Sequence, residues 1–205
     1  GLLRPSAGRL MLDGRDVTHL GPRGLIQAGV ARVPEDRHAE GVVGEMSVWE
    51  NAVLERLRSA EFSRLGFVRR PAARAHAAEL IRRFDVRGAT PDTRVRLLSG
   101  GNMQKLILGR CLSTGPKFIL ANQPTRGLDE GAIAAVHAEL LAARAEGAAI
   151  LLISEELEEA LALSDRLQAI VGGRLSRPVD VEEADAQRIG LMMAGMWQED
   201  ATDAA

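Results

Sequence analysis

The apolar positions change period along this chain. Arg9-Leu10-Met11-Leu12 reads as a short strand and Asp13-Gly14 as a hairpin turn. Residues 22–29 read as a short helix opening at Pro22, and Val30 to Val33 as a strand stopped by Pro34. The polar, glycine-containing stretch 35–44 reads as a loop. Ser47-Val48-Trp49-Glu50 is a capping-box pattern, which predicts a helix to about Leu57. Residues 59–70 read as irregular and basic. Pro71 opens a helix to about Phe84 with Leu80, Ile81 and Phe84 on one face, and Gly88 and Pro91 break the chain after it. From residue 98 the order becomes βαβ-like. A helix spans about 101–112, a strand Lys117 to Ala121, a helix about 132–145, and a strand Ala148 to Ile153. That last strand is apolar throughout, as expected inside a parallel sheet covered on both faces. A helix follows over 155–163, then a hairpin from Leu167 to Leu175 about Gly172-Gly173, then a helix over 182–196. The acidic, alanine-rich end is expected to fray.

Strands alternate with helices at both ends, and a mostly helical stretch lies between them. The prediction is an α/β core with a helical subdomain at roughly 40–110. The regions expected are 1–39, the front of the core; 40–110, the helical subdomain; 111–181, the rest of the core; and 182–205, a terminal helix and tail.

Composition narrows the classes. The chain has 205 residues, enough for one sizeable core, and no apolar run approaches the roughly 18–20 residues of a membrane span. The formal net charge of −2, the absence of tyrosine and the 3% aromatic content disfavour a nucleic-acid surface. Cys111 is the only cysteine, so neither an internal disulfide nor a multi-cysteine metal site is available. His19, His38, His76 and His137 lack ligand spacing. Gly1-Leu2-Leu3-Arg4-Pro5 has neither a methionine nor a cap signal before a strand-like segment, and it reads as a start within a domain.

The most informative stretch is Leu98-Ser99-Gly100-Gly101-Asn102-Met103-Gln104-Lys105. Glycines at a helix start expose backbone N–H groups, and with the Ser99 hydroxyl and the positive helix end they form an anion site. Alone, this could be an ordinary Ser/Gly cap. It is followed by the apolar strand, Pro124-Thr125-Arg126-Gly127-Leu128-Asp129, a helix, and another apolar strand ending at Ser154.

In this order the motifs resemble those of the ATP-binding-cassette (ABC) ATPase family across nearly the whole chain. Leu98 to Lys105 resembles its signature motif, Phe118 to Thr125 its Walker B strand, and Arg126 to Asp129 its D-loop. Ile153 to Glu156 resembles the switch region, and Val33-Pro34-Glu35-Asp36-Arg37 the Q-loop of second ATPase halves in tandem sugar-type importers. The stretches Ala121 to Asp129, Leu152 to Leu157 and Ile189 to Gly195 resemble the nucleoside-type branch. The resemblance implies an α/β P-loop NTPase-like core lacking its front strands and P-loop, with a helical subdomain. It also implies ATP and Mg²⁺ as ligands. The implied partners are an N-terminal ATPase half of the same polypeptide, transmembrane permease subunits and, indirectly, an extracytoplasmic solute-binding protein, with no nucleic acid. The place implied is the cytoplasmic face of the membrane. Leu98, Ser99, Gly100, Gly101, Asn102 and Gln104 would face ATP in trans, Glu35 would hold the Q-loop position and Asp129 the D-loop position. The segment near 35–45 and the helix after Ser47 would face the permease. Trp49 either packs there or belongs to the core.

Four departures bear on chemistry. No GxxxxGK[ST] loop is present, since neither Lys105 nor Lys117 follows a glycine. The family's Mg²⁺-holding Asp is Asn122 here, and its catalytic Glu is Gln123. Asn122 offers no charge to a hard cation, and Gln123 can orient a water but cannot take its proton. Glu155 replaces the switch histidine, and Glu35 replaces the Q-loop glutamine. The expectation is an importer ATPase half with a degenerate site of its own and a preserved signature. The alternatives are a ribose- or galactose-type sugar importer and a non-catalytic ABC-like interaction module. A DNA- or ribosome-acting ABC protein would keep both carboxylates, and a Rossmann-type domain would need a GxGxxG that is absent.

Overall fold

The computed structural model describes residues 1–197. β1 (Met11–Leu12) and β2 (Arg15–Asp16) pair antiparallel about Asp13 and Gly14, whose φ angles of 52° and 73° suit a tight hairpin. α1 (Pro22–Gln27) opens on proline and leads into β3 (Val30–Val33). The stretch expected to be a loop instead winds into a π-helical turn over Arg37–Gly41. Asp36 caps it by accepting from the His38 and Ala39 N–H groups, each at 2.9 Å. α2 (Val48–Val53) begins with the predicted box, in which Ser47 N–H and Oγ both donate to Glu50.

Residues 59–70 are not irregular. β4 (Ser63–Arg64) and β5 (Phe67–Val68) form a hairpin about Leu65 and Gly66, with φ of 52° and 83°. The turn hides from sequence reading because a leucine takes the left-handed position that usually signals itself as Asn or Asp. α3 (Arg70–Arg83) and α4 (Gly100–Leu112) follow, then β6 (Phe118–Asn122), α5 (Glu130–Ala145) and β7 (Ala149–Ile153).

The sheet is parallel in the order β3–β6–β7, so each crossover carries helices as parallel pairing requires. Ala31, Val33, Ile119 and Ala121 lie buried, with α4 packed on β3 and α5 on β7. The expected double cover of β7 does not hold. β7 is the edge strand of this sheet among the described residues, and Leu151 and Ile153 remain 50% and 44% exposed. Its apolar run therefore reports a strand fit for a buried sheet, with one face open here.

α4 is the central element of the first unit. It packs on α2, α3, α5, β3 and the π-helical turn, and its residues from Leu106 to Leu112 are all buried. Gly109 admits the Phe84 ring, which would lie 2.8 Å from an added Cβ. Asn51, fully buried on α2, ties down the preceding loop. Its Oδ1 accepts from Val43 N–H at 2.8 Å, and its Nδ2 donates to the Val43 and Ser47 carbonyls, each at 3.0 Å. Trp49 packs on a cluster of Val53, Phe62 and Ala73.

The chain divides into two compact units, Gly1–Ile153 and Ser154–Ala205. In the second, α6 (Leu157–Leu163) precedes β8 (Arg166–Leu167), β9 (Ile170–Val171), β10 (Arg174–Leu175) and β11 (Val179–Asp180). β9 and β10 form the hairpin about Gly172-Gly173, while β8 pairs with β11. The terminal helix is shorter than its pattern. Val181–Glu183 is a 3₁₀ turn, and Asp185 caps α7 (Ala186–Met193). The acidic tail expected to fray, from residue 198 on, lies outside the described residues.

Candidate functional site

The N-terminus of α4 is built to present donors. Ser99 is the N-cap, with extended backbone at φ −66° and ψ 159°. The first helical hydrogen bond runs from Met103 N–H to the Ser99 carbonyl at 2.9 Å, so the N–H groups of Gly100 and Gly101 lie ahead of the ladder. Ser99 is exposed and Gly100 half-buried, which leaves the turn open to a ligand, while Leu98 is buried beneath it. Asn102 fixes the turn. Its Nδ2 donates to Ser99 Oγ at 2.9 Å, and its Oδ1 accepts from Arg87 N–H at 2.8 Å. Gly101 sits against α5, since an added Cβ would meet that of Ala132 at 3.3 Å.

Gln104 is buried at 2% exposure, and its Nε2 donates to the Pro124 carbonyl at 2.6 Å. It therefore ties α4 to the loop after β6 rather than facing solvent. That loop starts with Asn122, paired in register with Ile153, and Gln123. Gln123 is buried and left-handed, with φ 48°; its N–H donates to the Ile153 carbonyl at 2.8 Å and its carbonyl accepts from Arg126 N–H at 3.2 Å. A left-handed conformation costs a non-glycine residue roughly 1–2 kcal/mol, and the main-chain bonds on both sides hold it. Asp129 ends the loop as N-cap of α5, its Oδ1 accepting from Ala132 N–H at 2.8 Å.

Two residues outside the expected set join this assembly. Arg37 Nη1 donates to the Arg126 carbonyl at 2.7 Å, and Arg126 forms an ion pair with Glu35. The expected site residues of the first unit thus gather around two connected loops. Glu155 lies in the second unit, exposed, just past Ser154, whose Oγ donates to the buried Glu159 carboxylate at 2.6 Å. Arg37 and Arg126 stand within stretches that the sequence marks, but no spacing signal links residues separated by 89 to 91 positions.

The end of β6 does not fit a Mg²⁺ ion. Asn122 and Gln123 are neutral amides, and the described residues contain no group of three or more His, Cys, Asp or Glu able to hold a metal. The turn at Ser99 has the opposite character, with hydroxyl and amide donors suited to phosphate oxygens.

A family model described as ABC transporter matches residues 1–126. The chain belongs to the ABC transporter family. It is 44% identical over 207 residues to the glucose import ATP-binding protein TsgD13 of Haloferax volcanii, a match covering 100% of this chain and 38% of that protein. It is 41% identical over 203 residues to the guanosine import ATP-binding protein NupO of Bacillus subtilis, covering 98% and 39%. With the nucleoside import ATP-binding protein NupA of Lactococcus lactis subsp. cremoris, it shares 42% over 195 residues, covering 95% and 38%. The chain thus spans 38–39% of the length of these curated relatives. Solved ABC cassettes share the fold. The ADP conformation of MJ1267 aligns with a TM-score of 0.69 at 22% identity, covering 95% of this chain and 76% of that one. The dimeric post-hydrolysis state of MJ0796 aligns at 0.71 and 20%, covering 88% and 76%.

Proposed function

We propose that this chain is the second ATPase half of an ABC importer for nucleosides or simple sugars, and that it lends its signature turn to the nucleotide held by the other half. The observation that carries this reading is a contrast within one chain. The α4 turn keeps Ser99, Gly100 and Gly101 open and pre-formed, while the end of β6 carries Asn122 and Gln123 in place of two carboxylates. A γ-phosphate presented by a partner would meet the Ser99 hydroxyl and the backbone N–H groups at a positive helix end. The nucleotide site built on this half's own β6 would lack the charge for Mg²⁺ and the base for water, so it holds ATP weakly or without turnover. Mg²⁺ then belongs to the partner half's site.

In this reading the chain works with an N-terminal half of the same polypeptide, membrane permease subunits and an extracytoplasmic binding protein, at the cytoplasmic face of the membrane. Residues 1–39 are the front of the core, 40–110 the helical subdomain, 111–181 the remaining core and 182–205 the terminal helix and tail. No helix among the described residues is long and apolar enough to cross a membrane. The names of the similar proteins include glucose, guanosine and nucleosides, and these carry the solute class proposed. The loss of Asn122 and Gln123 as carboxylates also suits a second reading, a non-catalytic ABC-like module.

Ser99→Arg separates the two. Its side chain fills the position a γ-phosphate would take, so uptake by the assembled importer should fall to background. Uptake at the wild-type rate would remove the proposed role of the turn and favour the non-catalytic module.

A further inference from the structure

We propose that Glu35, Arg37 and Arg126 form a clasp that locks the loop after β6 to the segment after β3 and thereby sets the position of the signature turn, a role that rests on the reading that this turn serves a partner's nucleotide. Arg37 is its principal positioning residue.

The Arg37 guanidinium lies between two glycines. A Cβ added at Gly100 would sit 3.1 Å from its Nη2 and 3.4 Å from its Nε, and one added at Gly127 would sit 3.5 Å from Nη2. A side chain at Gly100 would therefore crowd the guanidinium, whereas one at Gly127 would meet it at ordinary contact distance. Gly127 also has φ 66°, which favours glycine there for a separate reason. From this slot Nη1 donates to the Arg126 carbonyl at 2.7 Å, and Nη2 reaches toward the Gly127 carbonyl at 3.5 Å. Nε is buried without a hydrogen-bond partner, so the group gives up solvation to occupy the slot.

The Arg126 main chain is thus held by Arg37 while its side chain reaches back to Glu35. The two bridges run in opposite directions across the same gap. At the other end of the loop, Gln104 of α4 holds the Pro124 carbonyl. Residues 124–127 are therefore pinned to the signature helix at one end and to residues 35–37 at the other. The Glu35 and Arg126 side chains are 45% and 60% exposed, so their pair contributes little on its own. A guanidinium bonded to backbone carbonyls in a partly buried slot contributes more, which ranks Arg37 above the ion pair. The clasp also gives Glu35 a partner, and a carboxylate so engaged is turned from phosphate toward the loop.

The test uses the full-length polypeptide carrying this chain, assembled with its permease. Arg37→Ala should lower kcat for ATP hydrolysis about tenfold while the KM for ATP stays within about twofold, since a misplaced turn weakens transition-state contacts rather than ATP docking. Arg37→Lys, with one point charge in place of a planar fork, should recover less than half of the loss. Glu35→Arg and Arg126→Glu should each slow turnover about twofold to threefold, and the double swap should recover it. Amide hydrogen exchange provides a readout independent of activity. In Arg37→Ala, residues 98–102 and 124–129 should exchange faster while α3 amides keep wild-type protection, which also shows that the variant is folded. Unchanged exchange in those two segments together with unchanged kcat overturns the clasp. A double swap no better than either single variant removes the ion pair from it. If Ser99→Arg leaves hydrolysis intact, the reading of the turn fails, while the exchange result still decides the clasp.

Discussion

The N-terminus of α4 and the C-terminal end of β6 differ in what they can bind. At α4 both the geometry and the chemistry suit an anion: Ser99 caps, Asn102 braces it, and two glycine N–H groups stand ahead of the ladder. At the end of β6 the side chains are the neutral amides Asn122 and Gln123. Gln123 keeps a tight left-handed turn, bonded through its main chain to Ile153 and Arg126. Those bonds do not depend on the side chain's charge, so carboxylates can give way to amides with no change in fold. The main-chain shape of this turn therefore does not decide its chemistry; the identity of two side chains does.

The most direct way to erase the contrast is to restore the charge. In the assembled importer, Asn122→Asp combined with Gln123→Glu should raise turnover at this half's site. A positioned general base alone contributes about 10²–10⁴-fold, so the change should be visible in site-resolved hydrolysis assays. No increase would locate the defect elsewhere, with Glu155 and Glu35 the next positions to change.

A second prediction attacks the platform that carries the turn. Asn51→Ala removes the side-chain bonds to Val43 N–H and to the Val43 and Ser47 carbonyls from a fully buried position, leaving the Val43 N–H without its partner while the two carbonyls keep the Met46 and Asn51 N–H donors. It should cost about 3 kcal/mol, read as a lowered midpoint in chemical unfolding. A loss below about 1 kcal/mol would mean that water replaces the side chain.

A third distinguishes bracing from ligand contact at Ser99. Asn102→Ala removes the side-chain bonds to Ser99 Oγ and Arg87 N–H, keeps the main-chain bond from residue 102 to Ser99 Oγ, and leaves the glycines in place. Turnover should fall about tenfold, less than in Ser99→Arg, because one neutral hydrogen-bonded brace is lost and the donors remain.

The smallest effect concerns His76, on α3 beside Phe62 and in neither of the two contrasted segments, so it serves as a control. Burial holds the His76 imidazole below its ordinary value of 6.5, Arg56 lowers it further, and Glu61 opposes. The unfolded chain therefore takes up this proton at a higher pH than the folded one. The stability tied to neutral His76 is present above about pH 6.5 and declines as pH falls through that value. His76→Leu should flatten this decline in a pH series of unfolding midpoints. An unchanged slope would assign the decline to other groups. Cys111 sharpens the same point about burial. Its thiol is pushed up to about 11, chiefly by desolvation, and should resist thiol reagents until the chain unfolds.

Much of this was legible from local signals. The capping box at Ser47 and Glu50, the glycine-led start of α4 and the apolar β6 and β7 all announce themselves within a few residues. The cover on β7 did not, because apolar residues report what a strand can bury and not what lies against it. The hairpin at Leu65 did not, because its left-handed residue is not one of the usual turn formers. The clasp did not, because Glu35, Arg37 and Arg126 meet only after the parallel pairing of β3 and β6 brings their loops side by side. Gln104 reads as a signature residue in sequence, and only the fold shows it buried against Pro124.

The measurement that reaches the central claim most directly is the stoichiometry of a single turnover. The assembled importer is loaded with ATP at both sites, and the ADP formed before any release is counted per polypeptide. Asymmetric sites predict one ADP for two bound ATP, with none in Ser99→Arg. Two ADP per polypeptide in the wild type would contradict the account, because the site that holds Asn122 and Gln123 would then be hydrolysing as well.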